Sequence, residues 1–121
     1  MRVVIQRVKM AEVLIDGKVK RTIGHGLLVL CGFEDADTEE DLDWIAGKVS
    51  RLRIFNDEAG VMNKSVEEIN GQIMLISQFT LFASTKKGNR PSYSFAAKPE
   101  IAIPLYKHFI DKMKTFIKTD V

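Results

Sequence analysis

The stretch of this 121-residue chain best suited to chemistry is Ser77-Gln78-Phe79-Thr80. It follows the apolar run Ile73-Met74-Leu75-Ile76 and precedes Leu81-Phe82, so polar side chains interrupt what otherwise reads as a buried strand. Burying a hydroxyl or amide without a hydrogen bond costs roughly 1–3 kcal/mol. Alternation does not remove that cost. Ser77, Phe79 and Leu81 share one strand face, and Gln78, Thr80 and Phe82 the other, so both faces are mixed. Backbone, water or a ligand must meet these groups; the residues alone are compatible with a binding strand and with an internally satisfied one. The second such stretch is Lys86-Lys87-Gly88-Asn89-Arg90-Pro91-Ser92-Tyr93. Lysine and arginine bind phosphate, arginine through a planar fork. Gly88 permits a tight backbone path, and Tyr93 and Phe95 offer ring faces for stacking on a nucleobase. The alternative is a mobile charged hairpin loop.

The familiar catalytic kits are missing. His25 lies between glycines in a turn, His108 follows Lys107 on a helix and is expected to face water, and neither accompanies a nucleophile motif, so a Ser-His-Asp triad is not expected. No Cys/His group has metal-ligand spacing, and Gly24 and Gly26 lack the rest of a phosphate loop, so neither metal nor cofactor is expected. The acidic run at 34–41 lacks the central glycine and closing glutamate of a calcium loop and reads as a capped helix start. Cys31, within the apolar run 27–31, reads as a small buried hydrophobe. The net charge of +2 is too small to indicate a nucleic-acid partner by itself. Its distribution is uneven: Lys86, Lys87, Arg90, Lys98, Lys107, Lys112, Lys114 and Lys118 all lie in the second half, where a polyanion would be met. A solvated helix face plus a basic loop is the competing reading.

The length suits one domain, residues 1–121. Val3 and Ile5, then Ala11, Val13 and Ile15, alternate with polar residues as half-buried strands do. Asp16-Gly17 marks a hairpin turn, and Val19 and Ile23 continue on the return strand. Residues 27–31 predict a central strand covered on both faces. Thr38 followed by Glu39-Glu40-Asp41 predicts a helix start, and Leu42, Ile45, Ala46 and Val49 form its apolar stripe. Arg53-Ile54-Phe55 predicts a short strand, and Asn70-Gly71 a tight turn. In the last helix Leu105, Tyr106, Phe109, Met113 and Phe116 form the apolar face. Pro104 predicts that its regular part begins near Ile103, and no returning strand is expected after it. The class expected is α+β, a curved, barrel-like, mainly antiparallel sheet with two packed helices. No apolar run reaches the roughly 20 residues of a membrane helix, and no signal peptide is legible, so the cytoplasm is the expected location.

Taken together, MRVVIQRV at the N-terminus, LRIFNDEAG in the middle, SQFTLFA at 77–83 and KKGNRPSYSFAA at 86–97 resemble, in order and spacing, the motifs of the D-aminoacyl-tRNA deacylase family. The resemblance implies a homodimer with its active site at the interface. The reaction implied is hydrolysis of the ester joining a D-amino acid, or glycine mischarged on tRNA-Ala, to the 3′-terminal adenosine of tRNA. It maps the active-site strand onto Ser77, Gln78, Phe79 and Thr80, a supporting arginine onto Arg7, and substrate binding onto Lys86, Lys87, Gly88, Arg90, Pro91 and Ser92. An aminoacyl ester is already reactive, so the backbone amides of Phe79 and Thr80 are the expected stabilisers of oxyanion charge. Ser77 or Gln78 would anchor the substrate, and water or the neighbouring ribose hydroxyl is favoured over Thr80 as nucleophile. The family also carries a cis Gly-Pro dipeptide in C-terminal strands. None of the three prolines here follows a glycine, so those strands are expected to be missing. The alternative function is that of a truncated, non-catalytic tRNA-binding or dimerisation relative.

Overall fold

The computed structural model describes residues 1–117 and the backbone of 119–120. Lys118, counted above among the basic residues, lies outside them. The N-terminal region builds strands β1 (Arg2–Val8), β2 (Ala11–Ile15), β3 (Lys18–Ile23) and β4 (Gly26–Gly32). Helix α1 (Glu39–Arg51) follows, then the short strands β5 (Phe55–Asn56) and β6 (Met62–Lys64), and β7 (Gln72–Ser77). A single 3₁₀ turn (Phe79–Leu81), helix α2 (Pro99–Phe116) and the two-residue β8 (Thr119–Asp120) complete the order.

The class is α+β, as expected, but no closed sheet forms among the described residues. The main sheet is open and runs β1-β4-β7-β8, while β2-β3 and β5-β6 are separate antiparallel hairpins. Within the main sheet β1 is antiparallel to β4, but β4 and β7 run parallel, as do β7 and β8. Parallel pairing needs a long crossover, and the segment from Phe33 to Gly71, which contains α1 and the β5-β6 hairpin, supplies it. The short β8 also corrects the expectation that no strand returns after the last helix.

Burial follows the strand period. Leu27, Val29 and Cys31 of β4 and Ile73 and Leu75 of β7 are buried under the helices, against Leu42, Ala46 and Val49 of α1 and Phe109 and Met113 of α2. Each fully buried side chain of this size contributes roughly 1.5–3 kcal/mol. The opposite face of β4 is less covered than predicted, because Leu28 and Leu30 are only half-buried.

Local rules set the boundaries. Thr38 caps α1: its hydroxyl accepts from the Asp41 amide at 3.3 Å, and the Asp41 carboxylate accepts from the Thr38 amide at 3.0 Å. Those bonds, the backbone one first, hold the Asp41 carboxyl below its ordinary range, so this contribution is present above the unfolded pKa and fades as pH falls through the folded one. Asp16 (φ 53°) and Gly17 (φ 77°) adopt the left-handed turn read from the sequence. Pro104 does not delay α2, which starts five residues earlier, with Pro99 in its first turn where a missing N–H costs nothing. The amide lost at Pro104 would have bonded Glu100, which is exposed, so water can serve that carbonyl instead.

One position tolerates no side chain. A methyl group on Gly26 would overlap the backbone carbonyl of Gln72, where β4 and β7 begin to pair. Gly26→Ala is expected to lower unfolding free energy by about 3 kcal/mol or more, beyond ordinary overpacking. Gly88→Ala, which meets nothing within 4 Å, should stay within about 0.5 kcal/mol of the parent. Urea titration of both variants makes the comparison, and an unaltered midpoint for Gly26→Ala would contradict the packing described.

Candidate active site

The strand predicted over residues 77–80 ends at Ser77. The Gln78 amide still donates to the Cys31 carbonyl at 2.7 Å, the last bond joining this segment to β4. From there the chain folds into the 3₁₀ turn, closed by Leu81 N–H to Gln78 at 3.3 Å and Phe82 N–H to Phe79 at 3.0 Å. The mixed polarity has its explanation here, since Ser77 ends the strand exposed, Gln78 and Thr80 lie beyond it, and only Phe82 returns to the core. Gly32 makes the return possible. A Cβ there would stand 3.0 Å from the Gln78 carbonyl oxygen, 3.1 Å from the Phe82 ring and 3.2 Å from Leu81.

A cleft of about 570 Å³ opens beside the turn. Ser77, Gln78 and Phe79 form one wall, Gly32 and Phe33 the floor, and Tyr93 and the start of α2 the other side. Phe79 is 58% exposed and meets Tyr93 edge-to-face, ring centres 5.3 Å apart. Thr80 stands next to the cleft without lining it, and its hydroxyl pairs with the Gln78 side-chain amide. The Phe79 and Thr80 amides precede the first donor of the turn, Leu81 N–H, and have no hydrogen-bond partner among the described residues. Amides at the start of a helical turn point broadly along its axis toward its N-terminal end.

Neither the Cys31 thiol at the cleft nor the Tyr106 phenol outside it offers a base at neutral pH. Burial pushes the Cys31 thiol up to about 12, which keeps it protonated and inert at neutral pH. Burial also raises the Tyr106 phenol, whose hydroxyl donates to the Leu75 carbonyl at 2.8 Å. His108 is elsewhere and does not simply face water: it is half-buried, its Nε2 2.8 Å from Asp43 and its Nδ1 3.7 Å from Glu39. His25 stacks edge-on against Phe55, ring centres 5.3 Å apart.

The predicted binding residues divide. Lys86, Lys87, Gly88, Arg90 and Pro91 occupy an exposed loop closed by paired Ser84 and Ser92 backbones, with two bonds of 2.8 Å. None of the five lines the cleft, but Tyr93, directly after the loop, does. Arg7 is not brought to the turn. It pairs in register with Leu27, toward the other end of the sheet, and its guanidinium donates to the Ile54 carbonyl at 2.9 Å. The arginine that reaches the turn is Arg2, which donates to the Leu81 carbonyl at 2.8 Å, with its guanidinium 4.5 Å from the centre of the Phe82 ring. No local signal marks it, because its placement depends on the pairing of Arg2 with Gly32. The α2 residues of the cleft, Ala102 and Ile103, were likewise hidden by the later helix start read from Pro104.

Among known proteins, a family model described as D-Tyr-tRNA(Tyr) deacylase matches residues 4–121. A D-aminoacyl-tRNA deacylase of Parabacteroides distasonis is 63% identical over 93% of this chain and 75% of its own length. One from Bacteroides fragilis (strain YCH46) is 57% identical over 100% of this chain and 81% of its own. A solved structure titled c-Myc DNA Unwinding Element Binding Protein superposes with a TM-score of 0.91 at 35% identity, covering 98% of this chain and 83% of that one.

Proposed function

The chain belongs to the D-Tyr-tRNA(Tyr) deacylase family, and we propose from this that it hydrolyses the ester between a D-amino acid and the 3′-terminal adenosine of tRNA, releasing free D-amino acid and tRNA. The observation that carries the reading to a particular site is the pair of amides at Phe79 and Thr80, unpartnered among the described residues, beside an apolar cleft. In hydrolysis of an aminoacyl ester a water oxygen bonds the carbonyl carbon, and negative charge moves to the carbonyl oxygen. The C–O bond to the ribose then breaks, and the ribose oxygen takes a proton. Two fixed amides donating to that oxygen stabilise the developing charge. Ser77 and Gln78 anchor the aminoacyl group, while the adenine stacks at Tyr93 and Phe79. The Thr80 hydroxyl, already paired with Gln78, takes no covalent part, and water or the adjacent ribose hydroxyl drives the attack.

Lys86, Lys87 and Arg90, on the loop next to Tyr93, meet the phosphates of the tRNA acceptor end, with Gly88, Pro91 and Ser92 shaping the loop. The chain works in the cytoplasm as a homodimer. Phe95 (68% exposed) and Ile103 (53% exposed) give it apolar surface of the kind a second copy covers. No described helix is long and apolar enough to cross a membrane.

Three measurements bear on these statements. Thr80→Val keeps the amide and should retain turnover of D-tyrosyl-tRNA within about tenfold, whereas Thr80→Pro removes the donor and should cost roughly 10²–10³ in kcat. Matched L-tyrosyl-tRNA serves as the control, and absence of hydrolysis of either substrate by the parent protein would favour a non-catalytic tRNA-binding relative. Arg90→Ala should weaken tRNA binding and reduce the slope of log K against log salt by about 0.7–1; an unchanged slope removes that phosphate contact. Sedimentation equilibrium should return twice the 13.7 kDa of one chain, and a mass of 13.7 kDa would rule out the homodimer.

A further inference from the structure

The bond from Arg2 reaches further than its acceptor. The Leu81 carbonyl and the Phe82 amide belong to one peptide group, and that amide donates to the Phe79 carbonyl at 3.0 Å. The Phe79 carbonyl and the Thr80 amide belong to a second. A continuous chain therefore runs from the Arg2 guanidinium through the 81–82 peptide to the 79–80 peptide, and its free end is the Thr80 N–H. Each bond in such a chain polarises the next, by roughly 10–30%. A cation at one end pulls electron density from the amide at the other and makes it a better donor.

The same contacts fix direction. Phe82 is 3% exposed and holds the end of the turn in the core, and the Arg2 guanidinium lies against its ring. Arg2 pairs with Gly32, the residue whose missing side chain gives the turn its space. The turn is thus held at its start by the Gln78 bond to Cys31 and at its end by Arg2.

We propose that Arg2 is a positioning residue for the reaction, orienting and polarising the Thr80 amide through two peptide groups without touching substrate. The inference rests on the reading of residues 77–80 as the active site. Arg2 is exposed, so its replacement leaves the core intact.

The test compares Arg2→Met and Arg2→Lys with the parent on D-tyrosyl-tRNA, alongside amide hydrogen exchange followed by NMR. For Arg2→Met, kcat should fall roughly tenfold with KM nearly unchanged. Exchange at Phe82 should quicken while Leu75, in the centre of β7, keeps its protection. Arg2→Lys, which retains a charged donor, should recover part of the loss. Parental kcat in Arg2→Met, with Thr80→Pro inactive, would overturn the role of Arg2 and leave the site standing. Full activity in Thr80→Pro would remove the site and this inference with it. A fall in kcat accompanied by lost protection at Leu75 would reduce Arg2 to a general stabilising residue and overturn the proposal equally.

Discussion

The parallel pairing of β4 with β7 is the constraint on which the rest of the molecule depends. It joins segments more than forty residues apart in the chain, with Gly26 opposite Gln72 and Cys31 opposite Ser77. Both strands lie in the core, where an unmade backbone hydrogen bond is costly, so the register cannot slip without exposing polar groups or crowding Gly26 against Gln72. The crossover between them carries α1, which covers the face these strands share. Strand β1 adds to the outer side of β4 and brings Arg2 level with Gly32. The position of the candidate site at one end of this sheet follows from where the pairing stops.

Where it stops, the chain must dispose of polar groups. Ser77 ends β7, Gln78 makes one last bond to Cys31, and the turn reverses direction within the space above Gly32. A continued strand would have carried the amides of Phe79 and Thr80 into a ladder. The reversal instead leaves both without a partner among the described residues, beside an apolar cleft. Such groups are tolerable at an edge that water reaches and become strong donors once a ligand displaces that water.

Much of this was legible in residues that act on their neighbours. Thr38 and Asp41 cap a helix by bonds spanning three residues, and Asp16-Gly17 turns a hairpin by its own dihedral angles. The motif around residues 77–80 was legible as a conflict between polar groups and an apolar run, and the cleft does form there. What escaped depends on distant partners. Alternation along a strand says nothing about parallel or antiparallel pairing, so the open mixed sheet was read as a barrel. Pro104 reads as a breaker in the sequence, but the carbonyl it orphans belongs to exposed Glu100. Arg7 and Arg2 both lie on β1, five residues apart, and only the pairing of that strand with β4 decides which arginine reaches the turn.

A site built on backbone donors also explains why a search for reactive side chains finds so little. Neither buried Cys31 nor Tyr106 can serve as a base near neutral pH, and both histidines are engaged elsewhere. An ester bond to an amino acid is activated before it arrives, so the work left is to hold its carbonyl against fixed dipoles and to admit water. Work of that kind places its demands on residues that immobilise the turn: a glycine that yields space, a phenylalanine that anchors the end, an arginine that grips a carbonyl. Their side chains need not touch substrate at all. On the proposed reading, the chemical identity of the side chain at Thr80 matters less than the presence of its N–H.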